Sequence, residues 1–140
     1  MKTADYNSTD NVWKIAFEKG IEVFYGRKSW ELVHFLECNT RDECFSELTL
    51  DKWIDLQEAL APIGPSLEEI SNAFNTDHPD GHDLYLMRKY KEWYDHTFDD
   101  SPTLGYDFSV GYMQNLWEAA DTVLKYLEDP EWKVLMFASY

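Results

Sequence analysis

Basic residues are scarce in this chain of 140 residues. Twelve Lys and Arg stand against 27 Asp and Glu, a formal charge of −15. A surface this anionic repels phosphate backbones and acidic lipid headgroups, so direct binding to nucleic acid or to a membrane surface is not expected. Cysteine is nearly absent as well. Cys38 and Cys44 form neither a CxxC pair nor part of a four-ligand zinc set, and they are expected to be reduced thiols packed as small apolar side chains. No run of about 18 apolar residues exists to span a bilayer. Residues 1–11, MKTADYNSTDN, contain no apolar core of a secretory signal, so a cytoplasmic location is expected. The glycines are few and wrongly placed for a phosphate loop: Gly105 and Gly111 lack the spacing and the following Lys-Ser/Thr. A GxSxG nucleophile elbow is missing too. Neither catalytic residues nor a cofactor are therefore expected.

The chain is well supplied with apolar side chains, 44% of its residues, and with aromatic ones, 16%. That composition argues against disorder, and the length suffices to bury one core, so residues 1–140 are expected to form a single domain. Strand signals are weak, with no Asn-Gly hairpin turn and little sustained alternation. Helical periods recur throughout. The expected class is all-α, an irregular bundle of six or seven helices.

Thr9 or Asp10 is expected to cap a first helix in which Trp13, Phe17, Gly20, Ile21 and Phe24 share a face. A rival reading ends that helix at Gly20 and continues as a strand, Ile21–Tyr25. Ser29 opens a second helix from Trp30 to about Cys38, and His34 within it reads as a structural histidine. Thr40 and Glu43 match a capping box for a short helical turn through Glu47. Thr49 caps a helix to about Ala61, with Leu50, Trp53, Ile54, Gln57 and Leu60 on one face and Asp51 and Asp55 outside. Ser66 and Glu69 form a second capping box, with Leu67, Ile70 and Phe74 buried. Asp83 is placed to cap a helix from Leu84 to Thr97. A loop should then run through Tyr106 to Asp107 or Ser109. The clearest helix follows, with Val110, Met113, Trp117, Ala120, Leu124 and Leu127 on its core side. Asp121 and Lys125 are spaced as an i,i+4 ion pair. After Pro130, a further helical turn with Trp132, Leu135, Met136 and Phe137 should dock on the core.

The one cluster with possible metal chemistry gathers Asp77, His78, Asp80, His82, Asp83, Asp95 and His96. His78 and His82 flank Pro79-Asp80-Gly81, so they are not a helical i,i+4 pair, and an EF-hand alignment puts Met87 where the bidentate Glu belongs. No metal is expected, although a small metal-dependent enzyme built on His78, His82 and His96 remains an alternative.

The stretch from Glu92 to Leu124 stands apart. It carries seven carboxylates and seven aromatic rings but no Lys or Arg. Carboxylates steer a basic partner and rings supply contact area. The candidate partner-binding residues are Glu92, Asp95, Asp99, Asp100, Tyr106, Asp107, Tyr112, Glu118 and Asp121. In size, charge and aromatic content the chain is similar to immunity proteins that neutralise nuclease toxins. It also resembles phage anti-restriction and anti-CRISPR proteins that mimic DNA charge. The resemblance implies a non-enzymatic inhibitor that occludes a basic partner, a nuclease toxin or nucleic-acid-binding effector. The aromatics favour the immunity type over a bare phosphate mimic.

Overall fold

A computed structural model describes residues 1–8, 11–25, 29–38, 45–99 and 102–138. Among these the chain forms seven α-helices and one very small sheet, a mainly α architecture. The buried apolar side chains make one cluster running from Leu32 to Val123.

Four long helices hold most of that cluster. Helix α4, Leu50–Leu60, starts where the Thr49 hydroxyl accepts from the Lys52 amide at 3.4 Å. It buries Trp53, Leu56 and Leu60, while Leu50 and Ile54 lie at its exposed margin, unlike the face expected from sequence. After Pro62, which lacks the amide to prolong the helix, Ile63 is buried and a 3-10 turn follows at Gly64–Ser66. That turn leads into α5, Leu67–Asn75, so the Ser66–Glu69 capping box is not made. Helix α5 buries Leu67, Ile70 and Ala73 and packs on both α6, Gly81–Phe98, and α7, Tyr106–Glu128. It is the wedge between the two longest helices.

Asp80, rather than Asp83, caps α6. Its carboxylate accepts from the Asp83 amide at 2.8 Å, and Asp83 returns a bond to the Asp80 amide at 3.1 Å. Those contacts stabilise the anionic form and lower the Asp80 pKa, the amide of Asp83 contributing most. The helix ends at Asp99, left-handed at φ 55°, a conformation that Asp tolerates better than most residues. Helix α7 begins after Gly105, whose φ of 92° only glycine adopts easily. Tyr106 is thus the first residue of a helix and not a loop residue.

Two indole groups clip these helices together. Trp53 Nε1 donates to the Ala120 carbonyl at 3.2 Å, joining α4 to α7. Trp93 Nε1 donates to the Ala59 carbonyl at 2.9 Å, joining α6 to α4. Gly64 lies directly beneath the Trp117 ring, so a Cβ there would collide with the indole. Trp117 is half-buried, and Leu116 and Val123 take the core positions that sequence spacing gave to Trp117 and Leu124.

The rest of the chain is a thinner annex. Helix α1, Thr3–Asn7, and helix α2, Val12–Lys19, contain no buried residue. Asn11 caps α2 by accepting from the Lys14 amide at 3.2 Å; Thr9 and Asp10 lie outside the described residues. The helix stops at Gly20, and Ile21–Tyr25 is neither helix nor strand. That overturns the longer helix, and the strand of the rival reading does not form. Helix α3, Trp30–Phe35, is shorter than its apolar run. Glu37 at φ 54° reverses the chain, with Glu37 N–H donating to His34 O at 3.2 Å and Cys38 N–H to Val33 O at 2.9 Å. Lys52 Nζ closes this end, 2.7 Å from the Glu37 carboxylate and 3.4 Å from Leu36 O. Strand β1, Ser46–Glu47, pairs antiparallel with β2, Leu135–Met136, replacing both the helical turn expected through Glu47 and the C-terminal helical turn. Residues 40–44 of that expected turn lie outside the described residues. Lys2 bridges Trp132, so both chain ends run alongside each other.

Candidate functional site

Of the nine expected site residues, the eight described ones lie on or at the end of two helices, and only Tyr106 and Asp95 come into contact. Glu92 and Asp95 occupy the C-terminal half of α6, and Asp99 is the residue that caps its end. Asp107, Tyr112, Glu118 and Asp121 lie along α7, with Tyr106 at its start. Asp100 is outside the described residues. At 1.5 Å rise per residue, Asp107 and Asp121 are about 21 Å apart.

Where α6 meets the start of α7, the side chains are engaged in structure. The Tyr106 hydroxyl donates to the Asp95 carboxylate, 2.7 and 2.8 Å from its two oxygens. Its ring stands edge-on to Tyr90 and Tyr94, and Lys91 Nζ lies 5.5 Å from its centroid. Ser109 Oγ donates its one proton to the Tyr106 carbonyl at 3.0 Å. Tyr90 must then be the donor in its 2.8 Å bond to Ser109 Oγ. Burial raises the Tyr90 and Tyr94 phenols well above their ordinary pKa, and the Glu31 carboxylate adds to the effect on both. Glu31 also accepts from the Thr103 amide at 2.6 Å and hydroxyl at 2.7 Å, pinning the α6–α7 connection to α3. This corner is a framework, and Tyr106 is part of it rather than a free contact ring.

The α6 face is also less acidic than the stretch alone suggests. Arg88 precedes Glu92 by one turn and Lys91 precedes Asp95 by one, and all four side chains are exposed. The face therefore carries both signs of charge.

The outer face of α7 differs. Asp107, Phe108, Asn115, Glu118, Asp121 and Thr122 are all exposed, and the first cation on that helix is Lys125 in its last turn. Among the described residues no ion pair joins Asp121 to Lys125. Phe108 is 61% exposed, one turn before half-buried Tyr112. Tyr112 and Asn115 line an open groove of about 420 Å³ whose other wall is Glu22, Val23, Phe24 and Tyr25. Sequence reasoning missed Glu22, Tyr25, Phe108 and Asn115 as site residues. Only Phe108 had a signal, since its angular position on α7 is opposite the core stripe. A second acidic face lies on α4, where Asp51, Asp55 and Glu58 are exposed beside Leu50 and Ile54.

The histidine alternative is not assembled. His82 and His96 lie on α6, separated by about 21 Å of helix. His78 is exposed in the preceding loop, and His82 is 3.9 Å from Glu69. Among the described residues no group of three or more His, Cys, Asp or Glu side chains is placed to hold a metal ion. His34, expected in the apolar run, is exposed at the end of α3 against Trp30. Cys38 is half-buried, and burial raises its thiol pKa, which disfavours the reactive thiolate.

Comparison with protein-family models, with curated proteins and with solved structures finds no match. Among the described residues no helix is long and apolar enough to cross a membrane.

Proposed function

We propose that the protein is an acidic binding inhibitor of the immunity type, which occludes a basic, nucleic-acid-handling protein. The outer face of α7 carries this reading. It sets Asp107, Glu118 and Asp121 on one exposed face of a helix that carries no Lys or Arg before its last turn, with the exposed ring of Phe108 beside them. Carboxylates in no ion pair among the described residues, on a chain of net charge −15, speed encounter with a basic surface, and an exposed ring gives a contact that slows release.

The test is kinetic. A partner captured from lysate and identified by mass spectrometry would be titrated against the wild-type chain and against Asp107→Asn/Glu118→Gln/Asp121→Asn. Association should slow in the triple variant by roughly tenfold or more at low salt and lose its salt dependence. Binding indifferent to salt and to the triple change would sink the reading.

The second reading, a DNA-charge mimic, is favoured by one feature. Asp51, Asp55 and Glu58 on α4 add a carboxylate row at steps of about 6 and 4.5 Å on a helix packed against α7. A partner that DNA displaces competitively, with Asp51→Asn/Asp55→Asn weakening it more than Phe108→Ala, would favour mimicry.

A further inference from the structure

The groove between Glu22–Tyr25 and α7 is the least explained surface of the molecule. The segment Ile21–Tyr25 follows Gly20, where the backbone leaves the helix at φ −74°, ψ 160°. No backbone amide or carbonyl from Ile21 to Tyr25 hydrogen-bonds to another described residue. Val23 and Phe24 rest against the core and fix the segment in place. Ile21 and Tyr25 stay 55% and 66% exposed. Backbone without hydrogen-bond partners among the described residues, beside a groove walled by the Tyr25 and Tyr112 rings, is what an incoming extended chain can pair with, its main chain supplying hydrogen bonds and the groove accepting one side chain.

Charge selects the occupant. Glu22 lines the groove, and the wall formed by Tyr112 and Asn115 continues onto the face bearing Asp107 and Glu118. A second copy would bring another net charge of −15 to the same place, so self-association there is opposed. We infer that the groove docks an extended basic segment of the partner protein. One apolar or aromatic side chain of that segment seats between Tyr25 and Tyr112, and its Lys or Arg residues lie over Glu22, Asp107 and Glu118. This inference rests on the inhibitor reading above and names where that inhibitor grips.

Three synthetic nonapeptides test it by NMR titration of the full chain at low salt. The first has a central Leu-Trp-Leu flanked by three Lys on each side. The second replaces each Lys by Glu, and the third replaces the central triplet by Gly. The first peptide should shift the amide signals of Val23, Tyr25, Phe108 and Tyr112 and protect the 21–25 amides from hydrogen exchange. The other two should bind at least roughly tenfold more weakly. Tyr25→Ala, at an exposed position that leaves the fold intact, should weaken the first peptide by a similar factor. Phe108→Ala is the companion variant if Tyr25→Ala disturbs the segment. Shifts confined to Asp51, Asp55, Glu58 or Asp121, with no loss on removing the central triplet, would overturn the groove while leaving the acidic inhibitor standing. Equal binding of the Lys and Glu peptides would overturn both.

Discussion

The bundle of α4–α7 and the annex of α1, α2 and the two-residue strands hold themselves together by different means. In the bundle, Leu56, Leu60, Leu67, Ile70 and Tyr90 are fully buried, and their apolar area supplies the stabilisation. In the annex, α1 and α2 bury nothing completely. Instead, partly exposed rings pack in pairs: Trp13 tilted on Phe17 at 5.1 Å, Phe17 edge-on to Phe137 at 5.5 Å, and Phe45 tilted on Phe137 and edge-on to Tyr6 at about 6 Å. Backbone bonds between distant segments add to this, Lys133 N–H to Met1 O and Thr3 N–H to Glu131 O, both 2.7 Å. Lys133 spans Glu47, at 3.0 Å, and the Tyr6 ring. The same chain thus contains a core of fully buried side chains and an attachment of ring pairs and backbone bonds with little full burial, and the two should fail separately.

The largest expected difference is at Leu56. Leu56→Ala removes a side chain with no exposed surface and should cost about 2–5 kcal/mol in chemical denaturation. A loss under about 1 kcal/mol would mean the bundle is loosely packed. Alkaline pH comes next. Tyr90 and Tyr94 have folded pKa values raised above the ordinary 10.0, so their contribution is complete below pH 10. Above it, the unfolded state ionises first and stability drops by roughly 1.4 kcal/mol per pH unit for each ring. Phenolate absorbance should show the signals of Tyr90 and Tyr94 appearing only with unfolding. Gly64→Ala drives a methyl group into the Trp117 indole and should cost about 1–3 kcal/mol, with a change in tryptophan fluorescence. The smallest effect belongs to the annex. Phe17, 67% exposed, should give no more than about 0.5 kcal/mol on change to Ala. Amides of α1 and α2 should nonetheless exchange faster in that variant while those of α5 and α7 do not. Exchange that quickens everywhere would erase the distinction between the two regions.

Local signals were readable where the bundle is concerned. Thr49 did cap α4, and the positions of α6 and α7 followed from their 3.6-residue period. The core face of α7 was misjudged by about one residue because α4, α5 and the Gly64 turn all press on that helix. Its buried face is therefore wider than a single stripe, and Leu116 and Val123 outrank Trp117. The annex was nearly illegible. Ser46 pairs with Met136, and strands of two residues show no period, so their partners are chosen by contacts ninety residues away. The candidate site was half legible. Composition singled out the acid-aromatic stretch, but a window beginning at Glu92 left out Arg88 and Lys91, which share the α6 face. The groove wall at Glu22–Tyr25 has no signal in α7 at all, because tertiary packing brings it there.

The two indole clips have a consequence for the surface above them. A helix that slid by one turn along its neighbour would carry Ala120 away from Trp53, or Ala59 away from Trp93, and leave an indole N–H without its acceptor. Such a buried donor is costly to strand. The axial positions of α4, α6 and α7 are therefore keyed rather than merely packed. The helix backbones that carry Asp51, Asp55 and Glu58 on α4 and Glu118 and Asp121 on α7 are thereby held in fixed register. Under the inhibitor reading proposed above, carboxylates carried on such a frame would cost a partner little binding energy to arrange.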